Sequence, residues 1–372
     1  MEFQESFSIG IKLRMIPPSK YIFANELEEF KRGDFRIIDV RSPAEFEEDH
    51  IPNSENFPVL DNSERILVGT LYKKDTFLAK QFGAKLITKN ISSILDKIEK
   101  SEISFKQIDL RKPETKFLIY CWRGGMRSTS LFTVMDLIGY KTYILNGGYK
   151  QYRSKVNSDL NDLNIQSVYV LHGLSGSGKT EILSKLEEEG FPVLNLEKFA
   201  NHNGSVFGNK VNSQPSQKFF ETCIYERLNK LKKNSYIIFE GESRKIGNLL
   251  LPTQIYNHLQ KAKRIWIELP LQVRISRLKE EYNFSYEDFF SKLQYLKRYI
   301  KTEVYSEIIN SYKIVEKDRA VSLLLSEYYD LYYKKTFQLK NSPSDIMIYE
   351  ETFDSLLIKV RKYIVENVKN EI

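Results

Sequence analysis

The chain has 372 residues, 41% hydrophobic and 28% charged, which is enough apolar material for packed cores in two domains and too much for wholesale disorder. A formal charge of +7 permits a polyanionic partner without demanding one. Two cysteines, Cys121 and Cys223, and four histidines exclude a disulfide framework and a Cys-rich zinc or iron–sulfur centre.

Along the chain, residues 35–40 (FRIIDV) read as a buried strand, as do 116–120 (KFLIY) and 141–145 (KTYIL), with helical spacing over 129–138. Strand, loop, helix, strand implies a parallel sheet. The polar stretch 156–166 (VNSDLNDLNIQ) reads as a linker or last helix. A second series opens with a strand over 167–172 (SVYVLH), a glycine-rich loop and a helix over 180–189, with Gly190 where a helix C-terminal glycine belongs. Strands at 192–196, 235–239 and 263–269 and a long helix over 214–233 follow. Beyond 271 the pattern is mainly helical, broken at 341–345 (NSPSD). The expectation is an α/β domain over 1–155, a linker over 156–166, an α/β core over 167–270 and a mainly helical part of that second domain over 271–372. No stretch approaches the roughly 18 apolar residues of a membrane span, so the expected location is the cytoplasm, with reduced thiols and no membrane contact.

Cys121 follows a strand and opens the loop CWRGGMRS, which leads into a helix. Backbone N–H groups of such a loop converge on one spot with partial positive charge, favour a thiolate and hold an anion. Arg123 and Arg127 add charge, so all three residues are candidates for catalysis on a persulfide, a phosphate or a selenium analogue. Packing alone would make Cys121 a small core residue, but it leaves the Gly-Gly pair and the two arginines unexplained. Cys223, within FFETCIYERL, reads as a packing residue.

With IIDVRSPAEFEEDHIPNSENFP (37–58) and NGGYKQYR (146–153), this loop resembles the rhodanese family. The resemblance implies that Cys121 is the chalcogen-carrying nucleophile and that Asp39 and Arg41 tie the loop scaffold together. Common rhodaneses place the loop arginine one position nearer the cysteine. The Cys-x5-Arg spacing found here also occurs in dual-specificity phosphatases of the same fold, so the loop alone fits a phosphatase or a sulfur or selenium transferase.

GLSGSGKT, 173–180, fits the P-loop pattern G-x-x-x-x-G-K-[ST] between a predicted strand and a predicted helix. Amides of Gly173, Ser175, Gly176, Ser177 and Gly178 can wrap a diphosphate, Lys179 can pair with its charge, and Thr180 can hold Mg2+. The loop reads a diphosphate rather than a base, so any diphosphate ester can be its guest. After the next strand, SYIIFEGES and its sequel supply Glu240, Glu242, Ser243 and Arg244 as a second site motif; the plainer alternative is a solvated loop at a strand end.

A rhodanese domain followed by a P-loop NTPase-like domain resembles the tRNA 2-selenouridine synthase family over almost the whole chain. Further matching segments are ERILVGTLYK (64–73), FANHNGSVFG (199–208), SQPSQKFFE (213–221), GESRKIG (241–247), RISRLKEEY (274–282) and EYYDLYYKK (327–335). Departures are Asn203 for an arginine, Gly241 for an acidic residue and Leu331 for a proline. The resemblance implies a transferase acting on a tRNA anticodon loop that carries 2-thiouridine at the wobble position. The sulfur is geranylated by geranyl diphosphate and the geranylthio group is then replaced by selenium from selenophosphate, so an enzyme that supplies selenophosphate is a partner to expect. The rival readings are a rhodanese-fused ATP-dependent kinase or sulfur relay, and a non-catalytic binding module.

An RNA-facing surface needs cations interleaved with aromatic rings. KLQYLKRYIK, 292–301, supplies Lys292, Lys297, Arg298 and Lys301 with two tyrosines and no acid, at helical spacing. The alternative is a solvated helix with its tyrosines buried beneath. Arg274 and Arg277 look like lid arginines, so phosphate and RNA compete as their ligands. His202, Gly204 and Ser205 could line the reactive site, although a lone histidine is more often structural.

Overall fold

The computed structural model describes residues 16–32, 34–105, 115–202, 213–241, 243–281, 284–314, 316–336 and 345–368. The chain divides into two compact units, Met1–Asn157 and Ser158–Ile372.

The first unit runs β1 (Tyr21–Ile22), α1 (Leu27–Phe30), β2 (Phe35–Asp39), α2 (Pro43–Glu48), β3 (Ser54–Asn56), α3 (Asn62–Lys74), α4 (Thr76–Phe105), β4 (Lys116–Tyr120), α5 (Met126–Leu137), β5 (Lys141–Leu145) and α6 (Gly148–Asn161). Its five strands form one parallel sheet in the order β1-β5-β4-β2-β3. The apolar runs predicted as strands are fully buried at Ile37, Ile38, Phe117, Leu118 and Ile119, as expected where helices cover both faces. α5 contributes Leu131, Phe132 and Met135 to this core, and α4 lays down the stripe Ile87, Ile91, Ile94 and Ile98. α6 extends to Asn161, so half of the stretch expected as a linker is helix.

The second unit continues β6 (Ser167–Gly173), α7 (Lys179–Glu188), β7 (Val193–Leu194), α8 (Leu196–Ala200), α9 (Gln217–Leu231), β8 (Tyr236–Glu240), the hairpin β9 (Lys245–Ile246) and β10 (Leu249–Leu250), α10 (Thr253–Lys261) and β11 (Lys263–Glu268). Then come α11 (Leu271–Glu281), α12 (Tyr286–Leu293), α13 (Thr302–Lys313), α14 (Lys317–Leu324), α15 (Asp330–Thr336), β12 (Ile346–Tyr349) and α16 (Phe353–Tyr363). The sheet order is β12-β11-β6-β8-β7, again all parallel.

Among the described residues, 271–372 carry six α-helices and one strand the sequence pattern did not reveal: β12 returns to pair with β11 along the edge of the sheet. Only Ile348 of that short strand is buried, so its apolar pattern is too weak to read from sequence. Helices α11 to α14 pack a core of their own, in which the Phe289 and Tyr312 rings stack at 3.7 Å. Among the described residues no helix is long and apolar enough to cross a membrane.

Candidate functional site

Two constellations stand at the C-terminal ends of the two parallel sheets, where such sheets place ligands. In the first unit Cys121 leaves β4 and the chain turns into α5 with Gly125 as its N-cap. Cys121 is buried, and its Sγ lies 3.2 Å from the Ser128 hydroxyl and 3.8 Å from the Gly125 carbonyl. The loop is held from behind by the start of α6. Tyr149 N–H donates to the Cys121 carbonyl and Lys150 N–H to the Trp122 carbonyl, both at 2.9 Å.

Gly148 makes this contact at φ +60°, and a Cβ there would overlap the Cys121 carbonyl oxygen and crowd the Gly124 amide. Gly148→Ala is expected to cost about 2 kcal/mol or more from backbone strain and overlap. Thermal unfolding should register it as a fall of several degrees in Tm, and an unchanged Tm would mean that α6 does not brace the loop.

Asp39 and Arg41 are both buried. Arg41 donates to Asp39 through Nε at 2.9 Å and a terminal nitrogen at 2.6 Å, and to the Asp49 carbonyl at 2.6 Å. Its guanidinium lies 4.0 Å over the Tyr149 ring, whose hydroxyl donates to Asp49 at 2.6 Å. The pair thus ties β2 to the α6 start that clamps the thiol loop.

Arg127 departs from expectation. It donates to Glu45 at 2.6 and 3.3 Å rather than standing open at the thiol. Burial alone would raise the Glu45 carboxyl, but Arg127, the Ser42 amide and Arg65 outweigh it and hold it below the ordinary value. The open cation is Arg123, which is exposed and has no ion-pair partner among the described residues. Cys223 is half-buried within α9.

In the second unit the P-loop joins β6, the central strand, to α7. Gly178 caps α7 at φ +82°, a left-handed conformation that favours glycine, while Ser177 is buried with its hydroxyl on the Leu174 carbonyl. Lys179 Nζ donates to the Gly173 carbonyl at 2.9 Å and lies 5.6 Å over the Tyr333 ring. β8 lies beside β6 with Glu240 opposite Leu171, which delivers the carboxylate to the loop. Thr180 Oγ1 sits 2.9 Å from Glu240 and 3.0 Å from Glu197.

Glu197 is a residue the sequence reading missed. Its signal was an acid in the first turn of a helix capped by Asn195 immediately after a short strand. Burial, then the Glu197 charge, push the Glu240 carboxyl up to about 8. Two carboxylates and a hydroxyl, all hard oxygens around a threonine that follows the P-loop lysine, fit Mg2+. Among the described residues no group of three or more His, Cys, Asp or Glu could hold a metal, so the two carboxylates here would need the Thr180 hydroxyl and substrate oxygens to complete the shell.

A carboxyl lifted from 4.5 to about 8 favours the folded state while it is protonated. Without metal, this contribution falls as pH rises between those values; the neutral His172, lowered from 6.5 to about 3, opposes it below pH 6.5, so stability should fall between pH 6.5 and about 8, and Glu240→Gln should flatten that fall. Added Mg2+ should restore stability at pH 8.5 in the unaltered protein only. Melting curves against pH check this, and a fall between pH 6.5 and about 8 that survives in Glu240→Gln would contradict it.

The other predicted residues separate. Arg274 is buried, pairs with Asp330 at 2.7 and 3.0 Å and donates to the Ser175 carbonyl at 3.1 Å, so it braces the P-loop instead of meeting RNA. Arg277 pairs with Glu181 at 2.5 Å and lies 4.0 Å over Phe353. Ser243 donates to the Lys245 carbonyl and Arg244 lies 5.8 Å over Tyr256, both on the exposed hairpin side. His202 is buried behind α8, with its amide on the Glu197 carbonyl. Gly204, Ser205, Glu242 and Asn203 lie outside the described residues.

Gly241 has a local reason for lacking a side chain, because a Cβ there would overlap the His172 ring. Burial, then the Arg264 and Lys179 cations, push that imidazole down to about 3 and keep it neutral. The 292–301 stretch is not one helix: α12 ends at Leu293 and a 3-10 turn spans Gln294–Leu296. Lys297, Arg298 and Lys301 are exposed, Lys292 is half-buried over Phe284, and Tyr295 and Tyr299 are exposed rather than buried beneath.

A family model described as the tRNA 2-selenouridine synthase AAA domain matches residues 166–364, and a rhodanese-like domain model matches residues 23–155. A tRNA 2-selenouridine synthase of Nitrosomonas eutropha is 32% identical over 70% of this chain and 66% of its own length. One from Bdellovibrio bacteriovorus is 31% identical over 71% of this chain and 68% of its own length. The chain thus spans about two thirds of these relatives, 66% of one and 64% of a second Nitrosomonas protein. Among solved structures, the N-terminal domain of a putative ATP/GTP binding protein from Clostridium difficile is 33% identical, covers 37% of this chain and 98% of that one, and has a TM-score of 0.31.

Proposed function

Because the chain belongs to the tRNA 2-selenouridine synthase family, we propose that it converts wobble 2-thiouridine of tRNA to 2-selenouridine in two stages. In the first, the thiocarbonyl sulfur attacks the terminal carbon of geranyl diphosphate, the carbon–oxygen bond breaks toward the diphosphate, and the base loses its ring N–H proton. In the second, the selenium of selenophosphate adds to the same ring carbon, the geranylthiolate leaves and takes up a proton, and water cleaves the selenium–phosphorus bond to release phosphate. Alkylation is what makes sulfur a good leaving group.

The observation that carries the reading is the presence in one chain of a thiol under a glycine-rich anion loop and a P-loop backed by a buried carboxylate pair. Cys121 is assigned to the selenium stage, with Arg123 as the open cation for the anionic selenophosphate. The P-loop amides and Lys179 grip the diphosphate, for which Lys179 must leave the Gly173 carbonyl. Thr180, Glu197 and Glu240 would hold Mg2+, which when bound neutralises charge on the departing diphosphate. The rhodanese-fused kinase is the rival. Thiolated tRNA incubated with the protein, geranyl diphosphate and selenophosphate should yield geranylthio- and seleno-uridine on nucleoside mass analysis. Unchanged nucleosides alongside ATP turnover would favour the kinase.

A further inference from the structure

The chain leaves α14 through one π-helical turn, Leu325–Tyr329, before α15. A π turn inserts a residue and re-aims the side chains around it, often at functional sites. Here it sends neighbouring residues to two faces. Inward, Asp330 grips Arg274, which braces the Ser175 carbonyl of the P-loop, and Tyr333 lies beneath Lys179. Outward, Tyr328 and Tyr332 hold their rings 6.2 Å apart and within 19° of parallel, and Tyr299 adds a third ring 6.2 Å from Tyr328.

The row runs from the core outward: Tyr328 is half-buried against the core of α11 to α14, while Tyr299 is 57% exposed and Tyr332 55%, with Tyr295 at 72% four residues before Tyr299. Arg298 lies 4.7 Å over the Tyr299 ring, and Lys297 and Lys301 are exposed on the same turn. An aromatic row exposed at Tyr299 and Tyr332 and flanked by cations fits planar bases joined by phosphates. A protein partner would be met by an apolar groove with charge kept to its rim.

We infer that Tyr299, Tyr328 and Tyr332 form a stacking platform for unpaired bases of the tRNA anticodon loop, with Lys297, Arg298 and Lys301 on the flanking phosphates. α15 joins that platform to the P-loop through Asp330 and Tyr333. This rests on the tRNA-modifying reading above and names the surface that serves it.

The test is fluorescence anisotropy with a labelled anticodon stem-loop carrying wobble 2-thiouridine, and the same strand annealed to its full complement as control. Combined Tyr299→Ala and Tyr332→Ala should weaken stem-loop binding roughly 10- to 100-fold. Tyr299→Phe with Tyr332→Phe should retain it within about twofold, since the ring faces persist. The duplex, which has no unpaired bases, should bind the unaltered protein and the alanine variant alike. Equal stem-loop affinity for the unaltered and alanine proteins would overturn the platform while leaving the tRNA reading intact. Equal losses for stem-loop and duplex would overturn it too, by pointing to a general binding defect. An unaltered protein that neither binds nor geranylates the stem-loop would overturn the tRNA reading itself.

Discussion

Cys121→Ala should abolish selenium incorporation into thiolated tRNA while geranylation continues at its normal rate. The thiol is the soft nucleophile of the anion loop, and the loop's remaining features, its amides and Arg123, hold an anion without covalent chemistry. Alanine leaves the backbone clamp between Cys121, Trp122 and α6 in place, since that clamp uses carbonyl oxygens. The P-loop proposed for geranylation lies in the other compact unit, so that step should not respond. The expected signature is accumulation of geranylthiouridine with no selenouridine, read by nucleoside mass. Cys121→Ser should behave the same way, because a hydroxyl does not ionise near neutral pH as a thiol can. Selenation that survives in either variant would remove Cys121 from the pathway.

Lys179→Ala should cut geranylation roughly 100-fold, the scale of losing one preorganised charge donor at a developing anion. In the structure the ammonium rests on the Gly173 carbonyl, 2.9 Å away, and is poised above Tyr333. Diphosphate offers it a full negative charge in exchange for a carbonyl dipole, which is why the exchange is favourable. Calorimetry should find geranyl diphosphate binding weakened in the variant. Supplied with tRNA already geranylated, the same variant should still install selenium. Unchanged calorimetric affinity would place the geranyl donor elsewhere.

Both loops were legible in the sequence because each is a short continuous motif in a fixed setting. Glycines, a nucleophile or lysine and a following helix sit next to one another, so backbone geometry follows from neighbours in the chain. The strands that carry them were legible too, since a strand buried on both faces reads as an unbroken apolar run. What stayed hidden depends on distant residues. Glu197 meets Thr180 and Glu240 only because β7 and β8 pair in one sheet.

Arg127 looked like a free cation until α2 brought Glu45 to it across 82 positions of sequence. Arg274 looked like a lid residue, yet Asp330 lies 56 positions on and buries it as a brace. The tyrosines of KLQYLKRYIK read as buried under the helical alternative, but the helix stops at Leu293 and the following turns expose them. The edge strand β12 escaped for the opposite reason, having too little burial to leave a pattern.

The central claim is that one chain runs two consecutive reactions at a single wobble base. A two-step incubation tests it most directly. Thiolated tRNA is treated with the protein and geranyl diphosphate alone, repurified free of donor, and returned to fresh protein with selenophosphate alone. The account predicts geranylthiouridine after the first step and its conversion to selenouridine, with release of geranylthiol, after the second. Selenouridine formed equally well from tRNA that never met geranyl diphosphate would contradict it.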